Sequence, residues 1–324
     1  MDTTSVINHG AEHRSKKLRL LQRQWQLQVF VWLGILFLCI FSFAPLFGII
    51  IAFKDYSIRS GVEGIFANTW NNFSHFREFF TNYRFAELLR NTICLSILKL
   101  TTTFVAAVLM AVLISEVRNR TLKRLYQTIS YLPHFISWAL VYTIAYNMFS
   151  ENMGVVNVVL KKIGILDSSV PFMTGPEYFY GFAVFLSIWK TTGWSAIVFL
   201  AAISGIDPGL YEAAAVDGAN RLKRIWHITF PSILPSVVTV LVINIGSLLG
   251  GGMGGSNFEL SYLFGNASNA SAADIIQTYS FTMGLSKGRF AFATAVDLCQ
   301  SVISILLVLS SNWIAKKTSG IGLM

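Results

Sequence analysis

Long apolar runs, most of them eighteen residues or more, recur along this chain and constrain its fold more than any other feature. Six fall near 27–53, 88–117, 125–149, 179–203, 233–249 and 290–315, the third and fifth being the least clean. A helix of such length crosses about 30 Å of hydrocarbon and satisfies its backbone groups internally. The strands of a membrane barrel would read as alternating segments of about ten residues, and no such pattern occurs. Only 13% of the residues are charged, against roughly a quarter in a soluble domain. The sequence therefore predicts an all-α membrane protein with six transmembrane helices.

The basic residues set the expected orientation. Arg14, Lys16, Lys17, Arg19 and Arg23 precede the first run, and Arg118, Arg120, Lys123 and Arg124 separate the second and third. Arg221, Lys223 and Arg224 separate the fourth and fifth, and Lys316 and Lys317 follow the sixth. These fourteen face eight on the other side, Lys54, Arg59, Arg77, Arg84, Lys161, Lys162, Lys287 and Arg289, spread over longer loops. The positive-inside bias predicts both termini in the cytoplasm. The expected organisation is a cytoplasmic segment 1–26, a six-span domain 27–315 with an ordered loop at 205–231, and a tail 316–324.

The formal charge of +9 is accounted for by this bias and by anionic lipid. Short juxtamembrane clusters are not a nucleic-acid face. The first run is too long for a signal-peptide core and lacks a small-x-small cleavage site, so it is read as a retained span. Cys39, Cys94 and Cys299 fall inside spans without metal-ligand spacing and read as packing residues. No Gly is followed by Lys, so no phosphate-binding loop is present, and no His-Glu-x-x-His pattern occurs. Nothing in the chain reads as able to hydrolyse ATP; energy for pumping would come from a partner.

One loop stands out. Asp207-Pro208 is a strong helix start, with Asp as N-cap and Pro where its missing N–H costs nothing. Residues 210–217 then form about two turns, Gly218 suits the left-handed residue that ends a helix, and Asn220 caps a second short helix expected to break at Pro231. Small alanines let a partner approach closely, and Glu212 and Asp217 offer charge-assisted bonds. The competing reading is an amphipathic turn lying on the membrane.

Tyr211-Glu212-Ala213-Ala214-Ala215-Val216-Asp217-Gly218-Ala219, followed by Ile228-Thr229-Phe230-Pro231, resembles the EAA loop of membrane subunits in binding-protein-dependent ABC importers. Phe43-Ala44-Pro45-Leu46-Phe47-Gly48, Tyr131-Leu132-Pro133-His134 and Gly205-Ile206-Asp207-Pro208 resemble the polysaccharide-permease branch. The match runs from about Leu21 to the C-terminus. Chain length and the glycine-rich stretch Gly250-Gly251-Gly252-Met253-Gly254-Gly255 are similar to a membrane subunit of an alginate importer. Two departures are Phe230 in place of the usual Leu, and that glycine run, which reads as a moving element or a poorly ordered connector.

The resemblance implies a non-catalytic permease of a type I ABC importer in the bacterial inner membrane, without cofactors of its own. It implies a second similar permease, two ATPase subunits that bind ATP and Mg, an extracytoplasmic sugar-binding protein, and an oligo- or polysaccharide substrate, neutral or acidic such as alginate. Glu212, Ala213, Ala214, Asp217, Gly218 and Pro231 would couple to the ATPase. The resemblance also implies a cavity midway across the membrane between two permeases. Counting about 20 residues from the coupling loop at 1.5 Å each reaches Lys190, Thr191 and Trp194 on one side, and Asn244, Ser247 and Leu248 on the other. Polar residues at that depth are costly and suggest function. Lys190 suits a carboxylate-bearing sugar, the alternative being snorkelling to the interface. Trp194 and Asn244 equally suit helix packing or interhelical bonding, Lys99 and Arg90 are expected outside the cavity, and His134 is expected to be a hydrogen-bonded structural residue. The loops 54–87 and 265–289 are candidate docking surfaces, with Asp274 and Gln277 available for surface bonds.

Two other classes remain open on sequence. A secondary transporter or channel would need an inverted repeat and intramembrane acids; a membrane glycan enzyme would need an acid/base pair, and Asp297 is the lone clear carboxylate read inside a span.

Overall fold

The computed structural model describes residues 24–319, and these are helical apart from their connections; among them the only β pairing is an isolated antiparallel bridge between Lys54 and Trp70. The basic cluster Arg14 to Arg23 lies outside the described residues. Among the described residues, twelve α-helices of six or more residues organise the fold. They are α1 (Trp25–Leu38), α2 (Ser74–Phe80), α3 (Phe85–Ser115), α4 (Arg120–Tyr131), α5 (Trp138–Phe149), α6 (Val155–Lys162), α7 (Pro176–Ser204), α8 (Pro208–Val216), α9 (Phe230–Gly246), α10 (Asn257–Phe264), α11 (Ile276–Phe281) and α12 (Phe290–Ser319).

Five continuous helical stretches are long and apolar enough to cross a membrane: Trp25–Phe53, Phe85–Ser115, Pro176–Ser204, Arg221–Gly246 and Phe290–Lys317. The expected third span, 125–149, is instead two helices of 12 residues joined by the turn Leu132–Phe135. Pro133 lacks an amide hydrogen and cannot continue the α-helical ladder, and Ser137 restarts it by accepting the Leu140 amide at 3.3 Å.

The centre of the molecule is the pair α3 and α7, which run side by side in the same direction. Leu100, Phe104, Ala107, Ala111 and Ile114 interleave with Ala196, Phe199 and Leu200. Farther along, Leu95 joins Phe179, Phe182, Ala183 and Leu186 around Trp138, Val141 and Ala145 of α5. Small residues let the backbones approach closely, as packing in lipid requires. A Cβ added at Gly193 of α7 would lie 2.0 Å from the Ser130 carbonyl oxygen of α4.

The connections 54–84 and 265–289 are folded against this centre. Phe53 stacks on Trp70 at 5.3 Å and meets Phe73 and Phe76. Asn91 donates to the carbonyls of Ser271 and Asp274, each at 2.9 Å, and Thr92 accepts the Ile276 amide at 3.0 Å. Arg84 pairs with Asp274 at 2.7 Å and with Glu87 at 3.0 Å, while Arg289 pairs with Glu78 at 2.6 Å. Within the candidate docking stretch 265–289, Ala273, Ile275, Ile276 and Tyr279 are buried, and Asp274, expected to be available for surface bonds, is engaged by Arg84.

The first span contrasts with the rest. Its large side chains from Trp25 to Phe47 are almost all exposed, Ala52 is buried, and the stretch Phe47–Phe53 packs on α12.

Candidate functional site

The loop after α7 folds as its caps dictate. Asp207 accepts the Gly209 amide at 2.9 Å at the start of α8. Gly218 has φ +75°, a left-handed conformation that a Cβ strains. Asn220 accepts the Lys223 amide at 2.9 Å and opens the next turn. That turn does not break at Pro231, as expected, but continues through a wide π turn, Ile225–Thr229, into α9. A π turn relaxes the i→i−4 pattern, so the missing Pro231 amide leaves the helix continuous. Glu212, Ala213, Asp217, Gly218 and Pro231 are exposed and Ala214 is half-buried. Among the described residues, Glu212 and Asp217 have no ion-pair partner, and apolar Val216 and Leu222 stand 89% and 67% exposed beside them. The Tyr211 hydroxyl meets the Thr229 hydroxyl at 3.0 Å, tying α8 to the base of α9.

At half the depth of the bundle two lysines are buried, Lys99 wholly and Lys190 at 7% exposure. Each stands 14 residues into its helix, of 31 and 29 residues (99 − 85 and 190 − 176). Lys190 Nζ donates to the carbonyls of His134, at 2.9 Å, and Ile136. These belong to the break between α4 and α5. Lys99 Nζ donates to the Gly255 carbonyl at 3.0 Å and to Asn257 Oδ1 at 2.9 Å, at the break between α9 and α10. Irregular backbone at membrane depth is tolerated where protein satisfies its polar groups, and each lysine does this for a neighbouring broken span. Both ammonium groups lie over the Trp138 ring, at 5.9 Å for Lys99 and 5.6 Å for Lys190.

The glycine-rich segment is a compact double turn rather than a loose connector. Asn244 donates to Val240 O at 2.8 Å and accepts the Met253 amide at 2.6 Å. Ser247 accepts the Gly250 and Gly252 amides on its carbonyl. A Cβ at Gly251 would lie 1.9 Å from the Gly255 carbonyl oxygen, so close approach dictates glycine there. Leu248 packs beside the Leu100–Phe199 cluster.

A cavity of about 580 Å³ opens between α10, α11 and α12. Phe258, Phe281 and Phe290 form its apolar wall, and Gln277, Asp297, Gln300 and Ser301 its polar side. Phe258 follows Asn257, which Lys99 holds.

The chain matches, over residues 103–320, the family described as "Binding-protein-dependent transport system inner membrane component". It belongs to that family. Protein LplB of Bacillus subtilis (strain 168) is 40% identical over 94% of this chain and 92% of its own length. The Bacillus subtilis (strain 168) polygalacturonan/rhamnogalacturonan transport system permease protein YteP is 37% identical over 94% and 92%. A chain in the crystal structure of a bacterial ABC transporter involved in the import of the acidic polysaccharide alginate superposes with a TM-score of 0.83 at 35% identity, covering 94% of this chain and 99% of that one.

As a permease of this family the chain is a multi-pass inner-membrane subunit that does not catalyse, carries no cofactor, and leaves ATP to partner ATPase subunits. Its loop 207–231 can present a small-residue helix and two free carboxylates to a partner. Lys190, Thr191, Asn244, Ser247 and Leu248 gather around the glycine-rich turn and the α4–α5 break, with Thr191 Cγ2 3.5 Å from where a Gly255 Cβ would sit. Most of their polar atoms bind backbone: Thr191 Oγ1 donates to Ser187 O at 2.7 Å and Ser247 Oγ to Asn244 O at 3.3 Å. Trp194 stands apart, 44% exposed and stacked on His134 at 4.6 Å and 5°. His134, expected to be a hydrogen-bonded structural residue, is bonded through its carbonyl to Lys190, while its ring Nδ1 has no partner among the described residues and the ring stacks on Trp194. Sequence reasoning missed the cavity. It placed Gln277 on an outer loop, where the structure turns it inward. The available signal was Thr294, Asp297, Gln300, Ser301 and Ser304 at three- and four-residue spacing, one polar face on an otherwise apolar helix.

Proposed function

We propose that this permease pairs with a second, similar one to carry an oligo- or polysaccharide across the membrane by alternating access, driven by two ATPase subunits. The observation that carries this reading is the exposed, capped helix α8 with its unpaired Glu212 and Asp217, anchored to α9 through Tyr211 and Thr229. Glu212, Ala213, Ala214, Asp217 and Gly218 meet the ATPase surface, and Pro231 lies at the base of the helix that receives the movement. ATP and a sugar-loaded binding protein favour the same permease state, which makes the coupling energetic linkage between distant sites.

The chain crosses the membrane six times, with the third crossing made by α4 and α5 around their break, and both termini are cytoplasmic. Residues 27–315 form the spanning domain and 205–231 its coupling loop. Lys190, Thr191, Trp194, Asn244, Ser247 and Leu248 border the substrate path, five of them by fixing the broken spans and Trp194 by its exposed ring. The substrate is an acidic polysaccharide fragment such as alginate. Support comes from the alginate transporter, also solved in complex with an alginate pentasaccharide-bound periplasmic protein, and from YteP, named for polygalacturonan/rhamnogalacturonan. Lys190 spends two donors on backbone, leaving a third for a sugar carboxylate.

The test is purification from the native membrane with the co-purifying ATPase, followed by reconstitution and assay with uronate and neutral oligosaccharides. ATP-driven uptake, lost in Gly218→Val while ATPase activity persists without responding to the loaded binding protein, is the expected result. Uptake driven by an ion gradient with no ATPase present would overturn the reading and favour a stand-alone transporter.

A further inference from the structure

The cavity between α10, α11 and α12 has an unusual balance of hydrogen-bonding groups. Ser280 Oγ donates to Ala293 O at 3.1 Å, Thr294 Oγ1 to Phe290 O at 2.9 Å, and Ser301 Oγ to Asp297 O at 2.9 Å. The Thr294 and Ser301 hydroxyl hydrogens are thus spent on backbone and their oxygens keep acceptor capacity, while the Ser280 hydroxyl faces both Ala293 O and the Asp297 carboxylate. Asp297 is exposed, seven residues into α12 and therefore ~10 Å along its axis. A carboxylate facing lipid at such depth is costly, so this side of α12 faces a polar path or protein. Gln277 and Gln300 line the same space, and their amide oxygens are shut from solvent without a partner among the described residues. Unsatisfied buried acceptors of this kind are expensive; rotation about the broad terminal torsion presents either end of the amide to an occupant.

Opposite stands an aromatic wall. Tyr262 stacks on Phe258 at 5.4 Å and 17°, and both meet the Phe281 ring, at 5.1 and 5.0 Å. Rings fixed in this way present flat apolar area beside the acceptors. The cavity volume of about 580 Å³ falls in the range of small-molecule sites.

We infer that this cavity is a glycosyl subsite that takes a neutral, hydroxyl-donating sugar face and turns uronate carboxylates away. Sugar hydroxyls supply the donors that Thr294 and Ser301 lack and add to the one that Ser280 offers Asp297, and the ring's C–H face lies on Phe258 and Phe281. A sugar carboxylate offers only acceptors and a like charge, which Asp297 repels. The inference rests on the proposed saccharide transport and adds that an acidic chain passes this point with its carboxylates directed elsewhere.

The complex, with its second permease, ATPase and binding protein, is reconstituted in proteoliposomes, and uptake of a galacturonate trisaccharide is compared with that of its methyl ester. Asp297→Asn is expected to lower the ester-to-acid uptake ratio, relative to wild type, about tenfold, the order expected for one charge-assisted hydrogen bond. Phe258→Leu should depress both substrates alike, and ATPase stimulation by the loaded binding protein should stay within about twofold. If Asp297→Asn does not accumulate, Gln300→Leu is read by loss of uptake of both sugars at unchanged stimulation. An unchanged ratio in Asp297→Asn, or unchanged uptake in Gln300→Leu and Phe258→Leu, overturns the subsite. Loss of the second permease from the Asp297→Asn complex overturns it in favour of an intersubunit ion pair. Absence of ATP-dependent uptake of either sugar by wild type refutes the transport reading itself.

Discussion

Lys99 shows what one buried cation does in this bundle. Its ammonium group holds the Gly255 carbonyl and the Asn257 amide oxygen, and Asn257 in turn donates to Ser96 Oγ at 2.9 Å and Leu249 O at 3.2 Å. Lys99→Met keeps the stem and removes the donors, leaving two buried acceptors at about 1–3 kcal/mol each. The expected loss is about 2–6 kcal/mol, read as a lower melting temperature with a thiol-reactive dye reporting on partly buried Cys94 and Cys299. The sequence marked Lys190 as costly, because a lysine within an apolar run is, and placed Lys99 outside the cavity. It did not reveal their partners, since a backbone carbonyl has no residue signature and these lie 54 to 156 positions away. Gly218 was legible for the opposite reason: a helix ending in Asp-Gly carries its conformation in its own local sequence.

Among the elements, legibility followed how local the causes were. The caps at Asp207 and Asn220 act on amides two and three residues on, and the expected helix starts were found there. The break at Leu132–Phe135 was hidden although Pro133 was in view, because apolar residues continue through it and only Lys190, from another helix, makes the freed carbonyls tolerable. The glycine-rich stretch read as loose because its compactness depends on backbone meeting backbone across four residues. Gly193 makes the same point between helices. Gly193→Ala sets a Cβ against backbone at 2.0 Å, so α7 and α4 must separate, at a cost of about 1–3 kcal/mol. The expected readout is a lower melting temperature together with faster proteolysis of the α4–α5 segment. An unchanged melting temperature would show that these helices are not in close contact.

For the whole molecule, the ion pairs beside the outer connections join segments far apart in sequence. The Arg289 guanidinium hydrogen-bonds Glu78 and holds its carboxyl below the usual carboxylate range, against an opposing contribution from burial. A carboxyl whose value is lower folded than unfolded contributes stability that is fully present above the unfolded value, about 4.3, and is lost as pH falls through the lowered folded value. Melting temperature should therefore drop more steeply on acidification for wild type than for Glu78→Gln, modestly, because both partners are partly solvated. Parallel curves would mean that the pair is not formed in solution.

The exposed first span has a consequence for biosynthesis. Trp25–Phe53 meets its own chain chiefly where Phe47–Phe53 packs on α12, so the first span made has its main intrachain partner in the last. Until Phe290–Ser319 enters the bilayer, the N-terminal helix waits in lipid while the α3–α7 centre assembles. Docking it is a late, long-range closure, of the kind that separates early insertion from final assembly. Chains arrested before α12 would leave the ribosome with a first helix that lacks its main intrachain partner.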